Sequence, residues 1–167
     1  MKIICMIPAR LDSKRFPRKI FAKLNNRTLL GNVIEAAKRV EVFDDIYVAA
    51  CSKQVADEAH SHGVKSVITD PRLENGTYRI IDAIEKEDIK GDLFVNWQAD
   101  EPFITPSIIS RLLEGADSSD ILTLKQKIEG DDIFSPSVVK VVTNLEGRAL
   151  YFSRSVITRR RRWASGN

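Results

Sequence analysis

Cysteine is scarce in this 167-residue chain: only Cys5 and Cys51 occur, without CxxC spacing, each inside an apolar, strand-like run. That excludes a disulfide scaffold and fits a reduced, cytoplasmic protein. The apolar run at 2–7, KIICMI, is followed at once by Pro8 and Arg10. It is too short for a signal peptide or a membrane span, so neither export nor a membrane partner is expected. Aromatic residues make up only 7%, and 26 basic residues are nearly balanced by 23 acidic ones, for a net charge of +3. Such a balance gives no argument for a nucleic-acid partner. Also missing are GxxxxGK[ST] and, after the first strand, GxGxxG, which excludes a P-loop and a dinucleotide fingerprint. No repeat or low-complexity linker interrupts the chain. What remains, 43% apolar and 29% charged, is enough for one soluble domain over residues 1–167 with a proper core.

The apolar pattern alternates between short strand-like runs and helical stretches. Residues 2–7 form a buried strand ended by Pro8. Leu29, Leu30, Val33, Ala36, Ala37 and Val40 then recur at helical spacing. A second strand covers 46–50. Val55, Ala56 and Ala59 start a short helix that stops at Gly63, and a third strand covers 64–69. Thr77 is placed to cap a helix carrying Ile80, Ile81 and Ile84. The fourth strand is 93–97, and Pro106 opens a last helix with Ile108, Ile109, Leu112 and Leu113. This order calls for a mostly parallel sheet with helices on both faces, an α/β fold. The last third changes character, with strands expected at 121–128, 138–143 and 149–153. A hairpin-like turn at 144–147 joins the last two, so the late strands turn antiparallel.

In an open α/β sheet, ligands bind beyond the carboxyl ends of the strands, where the strand order reverses. The first and fourth strands flank that reversal in the common doubly wound order. After the first comes PARLDSKRFPRK at 8–19, with Arg10, Lys14, Arg15, Arg18 and Lys19 against the single acid Asp12. A loop this cationic suits a polyanion such as a triphosphate: arginine grips phosphate oxygens bidentately, and lysine supplies a compact charge. After the fourth strand comes Gln98-Ala99-Asp100-Glu101-Pro102. A carboxylate there, facing the cationic loop, can seat Mg²⁺ against phosphate oxygens, because this ion keeps much of its water.

Several stretches, in order along the chain, resemble the CMP-Kdo synthetases, the 3-deoxy-manno-octulosonate cytidylyltransferases. They are IPAR at 7–10 with Ser13, Arg15, Phe16-Pro17 and Lys19; Asn75-Gly76-Thr77 with Arg79; Gln98 with Asp100-Glu101-Pro102; Phe134-Ser135-Pro136; VKVV at 139–142; and ALYFSR at 149–154. The first motif is shared with CMP-sialate synthetases, whereas the last two are more specific to the Kdo enzymes. The resemblance implies a Rossmann-like fold of the nucleotide-diphospho-sugar transferase type, Mg²⁺ as cofactor, and a cytoplasmic enzyme. Its reaction would join CTP to Kdo, releasing pyrophosphate, for lipopolysaccharide synthesis. Carried over by motif, Arg10, Ser13, Arg15 and Lys19 hold the triphosphate, and Pro8, Ala9, Asn75, Gly76 and Arg79 border cytosine and ribose. Gln98, Ser153 and Arg154 face the sugar acid. Asp100 binds the metal and, with Arg15 and Lys19, carries the chemistry. The expected partners are CTP and Kdo, with a homodimer left open. The alternatives are a truncated, non-catalytic CTP-binding remnant and a CMP-sialate synthetase.

The sequence departs from the family pattern at Arg18 and Ala99, where glycine is usual, at Ile20, where proline is usual, and at Tyr78, where an acid is usual. The largest departure is at the end: the resemblance implies a chain truncated before much of the sugar pocket. Other polar features carry less. His60 and His62 lie two apart on a helix, roughly 160° around it from one another, which does not make a shared ligand face. Trp97 is expected in the core, Asp131 and Asp132 in solvent, and the basic run 159–162 in solvent.

Overall fold

The computed structural model describes residues 1–11, 16–116 and 121–157. In chain order its elements are β1 (Ile3–Ala9), the two-residue strands β2 (Lys23–Leu24) and β3 (Arg27–Thr28), α1 (Leu29–Lys38), β4 (Asp45–Ala50), α2 (Lys53–Ser61) and β5 (Lys65–Ile68). They continue with α3 (Gly76–Lys86), β6 (Leu93–Asn96), α4 (Pro106–Leu113), β7 (Lys140–Thr143) and β8 (Ala149–Ser153). The chain groups into two compact units, Met1–Ser118 and Ser119–Asn167.

The first unit is built on a four-stranded sheet in the order β5-β4-β1-β6, parallel at every pairing. β1 is buried along its whole length. That explains why its sequence is continuously apolar instead of alternating. Its side chains divide by parity between two cores. Ile3, Cys5, Ile7 and Ala9 pack with Leu30, Val33 and Ile34 of α1, Val55 and Ala59 of α2, and Ile109 of α4. Ile4 and Met6 pack with Ile80 and Ala83 of α3 and with Ile89. Helices therefore cover both faces, as the alternation of periods predicts. Each fully buried Leu or Ile contributes about 1.5–3 kcal/mol. Trp97 joins the first core, 1% exposed and edge-on to Phe43.

Helix starts follow from side chains that accept orphan backbone N–H groups. Thr28 accepts from Gly31 N at 2.9 Å, and Asn75 accepts from Tyr78 N at 3.0 Å. The second contact moves a boundary, since α3 is capped by Asn75 and not by Thr77, which lies inside its first turn. α2 ends as expected before Gly63, whose φ is +73°. β1 also runs through Pro8 instead of stopping there. Its ladder to β6 ends at Met6, so Pro8 is paired in register on the β4 side only, a place that tolerates a missing N–H. The β2–β3 hairpin went unread in the sequence. Its turn is Asn25-Asn26, both at positive φ, a conformation asparagine adopts more readily than most residues.

In the second unit β7 and β8 pair antiparallel around a turn in which Gly147 has φ +83°. The strand expected at 121–128 is absent: these residues have no ladder partner among the described residues, and Ile121 is 90% exposed. An apolar run without an edge to pair with gains nothing from extension. Asp131 and Asp132 lie in an exposed 3-10 turn, Gly130–Phe134.

Candidate active site

The parallel order puts β1 beside β6, so the two segments predicted to carry the chemistry leave the sheet as neighbours. Between them and the start of α3 lies a cavity of about 200 Å³. Its walls come from the end of β1 (Pro8, Arg10), the following 3-10 turn (Lys19, Ile20), the start of α3 (Asn75, Gly76, Arg79) and the segment after β6 (Gln98, Ala99, Asp100).

Lys19 Nζ donates to Asp100 Oδ2 at 2.8 Å, joining the cationic loop to the carboxylate of the opposite segment. Both side chains are more than 40% exposed, so the pair adds at most about 1 kcal/mol of stability. Its interest is chemical: one cation and one carboxylate stand together at a cavity mouth. Arg10 Nη1 donates to the carbonyl of Glu74 at 2.9 Å. Gln98 Nε2 donates to Asn96 Oδ1 at 2.7 Å, which orients the amide at the end of β6. Gly76 sits tightly against β1, since a Cβ there would lie 3.0 Å from Pro8 Cγ and the proline ring would have to give by a few tenths of an ångström. The glycine lets α3 start against the end of β1.

Arg79 differs from the other cations. It is 1% exposed and donates to Thr69 Oγ1, to the carbonyl of Asp70 at 3.1 Å and to that of Leu73 at 3.4 Å. Burial pushes its pKa down, and the charge of Arg10 adds to that push. Partial desolvation and the adjacent Asp100 raise the Glu101 carboxyl.

Of the residues singled out in the sequence, Pro8, Arg10, Lys19, Asn75, Gly76, Arg79, Gln98 and Asp100 line one cavity. Ala9 lies under it, fully buried, with its carbonyl accepting from Cys51 N. Ser13 and Arg15, with Lys14, lie outside the described residues, as does the basic run 159–162. Ser153 and Arg154 belong to the second unit. There Arg154 Nη1 donates to the carbonyls of Pro136 and Ser137, and the Arg154 carbonyl accepts from the buried Lys140. Arg18, although part of the cationic run, does not line the cavity. Its guanidinium donates to Gln54 of α2 and lies over the Phe21 ring. His60 and His62 turn to different partners, the first to Ser66 and the second between Glu35 and Glu58.

Thr69 and the carbonyl of Glu74 went unread. The first is one threonine at a strand end, and the second acts through its backbone, so neither leaves a mark in composition or spacing. For a divalent ion the donor set is one carboxylate, Asp100, followed by Glu101. Among the described residues no three His, Cys, Asp or Glu side chains are grouped to hold a metal. Such a sparse set fits Mg²⁺ bound jointly with phosphate oxygens and water, and does not fit a caged ion. No helix of the described residues is long and apolar enough to cross a membrane.

Comparison with known proteins bears on this cavity. The family described as "Cytidylyltransferase" matches residues 4–165. A 3-deoxy-manno-octulosonate cytidylyltransferase of Christiangramia forsetii is 40% identical, over 96% of this chain and 66% of its own length. One from Koribacter versatilis is 38% identical, over 94% and 60%. A solved CMP:2-keto-3-deoxy-manno-octonic acid synthetase complexed with CTP superposes with a TM-score of 0.89 at 32% identity, covering 99% of this chain and 69% of that one. The chain thus spans 60–66% of the length of these two curated relatives.

Proposed function

This chain belongs to the cytidylyltransferase family, and we propose that it binds CTP in the cavity between β1 and β6 and transfers its cytidylyl group to 3-deoxy-manno-octulosonate. The observation that carries this reading is the Lys19–Asp100 pair at 2.8 Å, set in a cavity whose other walls are Arg10, Asn75, Gly76 and Gln98. The likeness to a synthetase complexed with CTP supports it.

The anomeric hydroxyl of the sugar acid attacks the α-phosphorus of CTP in line, an O–P bond forms, and the bond to the pyrophosphate breaks. No covalent enzyme intermediate is required, so positioning and electrostatics supply the rate. Arg10 and Lys19, with Ser13 and Arg15, hold the triphosphate, and Lys19 and Arg15 stabilise the charge gathering on the departing pyrophosphate. Pro8, Ala9, Asn75, Gly76 and Arg79 form the nucleoside wall, and Gln98 addresses the sugar acid. Asp100 would hold Mg²⁺, which when bound offsets negative charge on the phosphate oxygens. The product would serve lipopolysaccharide synthesis in the cytoplasm, and the free thiols of Cys5 and Cys51 accord with that compartment.

Pyrophosphate release tests this reading, with CTP and Mg²⁺ present and either 3-deoxy-manno-octulosonate or N-acetylneuraminate as acceptor. Release with the first acceptor alone is the expected result. Release with the second alone would make the chain a CMP-sialate synthetase. CTP-dependent stabilisation without release from either would make it a non-catalytic nucleotide binder.

A further inference from the structure

A buried guanidinium normally sits against a carboxylate, because removing a charge from water costs several kcal/mol unless it is paired. Arg79 has no carboxylate within ion-pair distance among the described residues. Its donors go to the Thr69 hydroxyl and to the carbonyls of Asp70 and Leu73. Thr69, itself 1% exposed, passes the contact on: its Oγ1 donates to the carbonyl of Ala50 at 2.9 Å, at the end of β4. The far end of the same segment is held from the cavity side, where Arg10 Nη1 donates to Glu74 O. Residues 70–74 therefore form a strap between two guanidinium groups on the cavity lining, the buried one of Arg79 and the exposed one of Arg10. The strap leads directly into Asn75, which caps α3.

We propose that Arg79 and Thr69 are positioning residues: they fix the strap 70–74 from below, and through the Glu74 carbonyl they fix where Arg10 presents its remaining donors to a nucleoside triphosphate. This deepens the reading of the cavity as a CTP site and rests on it. Arg79 acts on the nucleotide through Arg10 and the strap and makes no contact of its own with phosphate. Its three acceptors hold the buried guanidinium in place.

The test is a double-mutant cycle on CTP affinity, with amide hydrogen exchange of residues 70–75 in the nucleotide-free protein as the second readout. Arg79→Met keeps the bulk and removes the donors; Thr69→Val removes the hydroxyl and keeps the shape. Each is expected to speed exchange in the strap and weaken CTP binding, by roughly tenfold for Arg79→Met, the size seen when an outer-shell support is lost. Arg10→Met weakens CTP binding as well. Combined with either variant, it is expected to weaken binding no further than the worse single change, because the effects share one route. Losses that multiply would overturn the proposal by showing that Arg79 acts on the nucleotide independently of Arg10. Unchanged strap exchange in both Arg79→Met and Thr69→Val would overturn it too. Should Arg79→Met fail to fold, Thr69→Val with Arg10→Met decides the matter alone. If the wild-type protein binds no CTP, the reading of the cavity fails, and strap exchange still tests separately whether Arg79 and Thr69 hold residues 70–74.

Discussion

At the scale of single residues, two positions separate stability from chemistry. Asp100 contributes little to the fold, because its bond to Lys19 is exposed, yet among the described residues it is the only carboxylate lining the cavity. Asp100→Asn is expected to keep the melting temperature within a few degrees of wild type. Mg²⁺-dependent turnover should fall by roughly 10²–10³-fold, the usual scale for losing one electrostatic contact to a transition state. Circular dichroism and the pyrophosphate assay measure the two effects separately, and normal turnover would remove Asp100 from the metal role. Arg18 is the opposite case. It sits at φ 56°, a left-handed conformation that costs a non-glycine residue about 1–2 kcal/mol. Its bond to Gln54 and its position over Phe21 return part of that cost. Arg18→Gly removes both terms, so its melting temperature is expected to move by no more than about 4 °C. A larger fall would mean that the arginine holds the loop in place. Ala99, by contrast, is not among the positive-φ residues, so its methyl group meets no backbone strain.

At the scale of elements, the start of α3 does two jobs. Asn75 caps the helix, and Gly76 lets it begin against Pro8. Asn75→Ala is expected to cost about 1 kcal/mol through the lost cap. Gly76→Ala pushes a methyl group to 3.0 Å from Pro8 Cγ and should cost more CTP affinity than stability, as Pro8 and the helix start share the cavity wall. A binding isotherm and a melt for each variant check this; equal affinity in wild type and Gly76→Ala would contradict it. The parallel strands and their helices were legible because burial on both sheet faces leaves continuous apolar runs, and helices leave a 3.6-residue period. Placing β1 beside β6 followed from topology, and with it the meeting of Lys19 and Asp100. What stayed hidden lies where the pattern is short or the backbone acts. Asn25-Asn26 turns strands of only two residues. Residues 121–128 have strand-like composition but no partner. The Glu74 carbonyl that holds Arg10 belongs to no motif.

At the scale of the whole molecule, the two compact units raise the question of whether they act together. We propose that residues 1–167 work as one nucleotide-binding domain, which predicts a single calorimetric unfolding transition. The second unit exposes the consecutive apolar residues Leu150, Tyr151 and Phe152 of β8, at 66%, 59% and 52%. Exposed apolar surface favours association. A concentration series by size-exclusion chromatography with light scattering is therefore expected to show self-association, a homodimer being the simplest form, that Tyr151→Lys reduces. A monodisperse monomer at all concentrations would contradict it. The central claim, that the cavity between β1 and β6 is a CTP site, is tested most directly by thermal melts with Mg²⁺ and increasing CTP, UTP, ATP or inorganic triphosphate. A ligand that binds only the native state stabilises it by about 2.7 kcal/mol at a hundred times its dissociation constant. CTP is predicted to raise the melting temperature progressively and well beyond the other three, and no shift with CTP, or equal shifts with all four, would contradict the account.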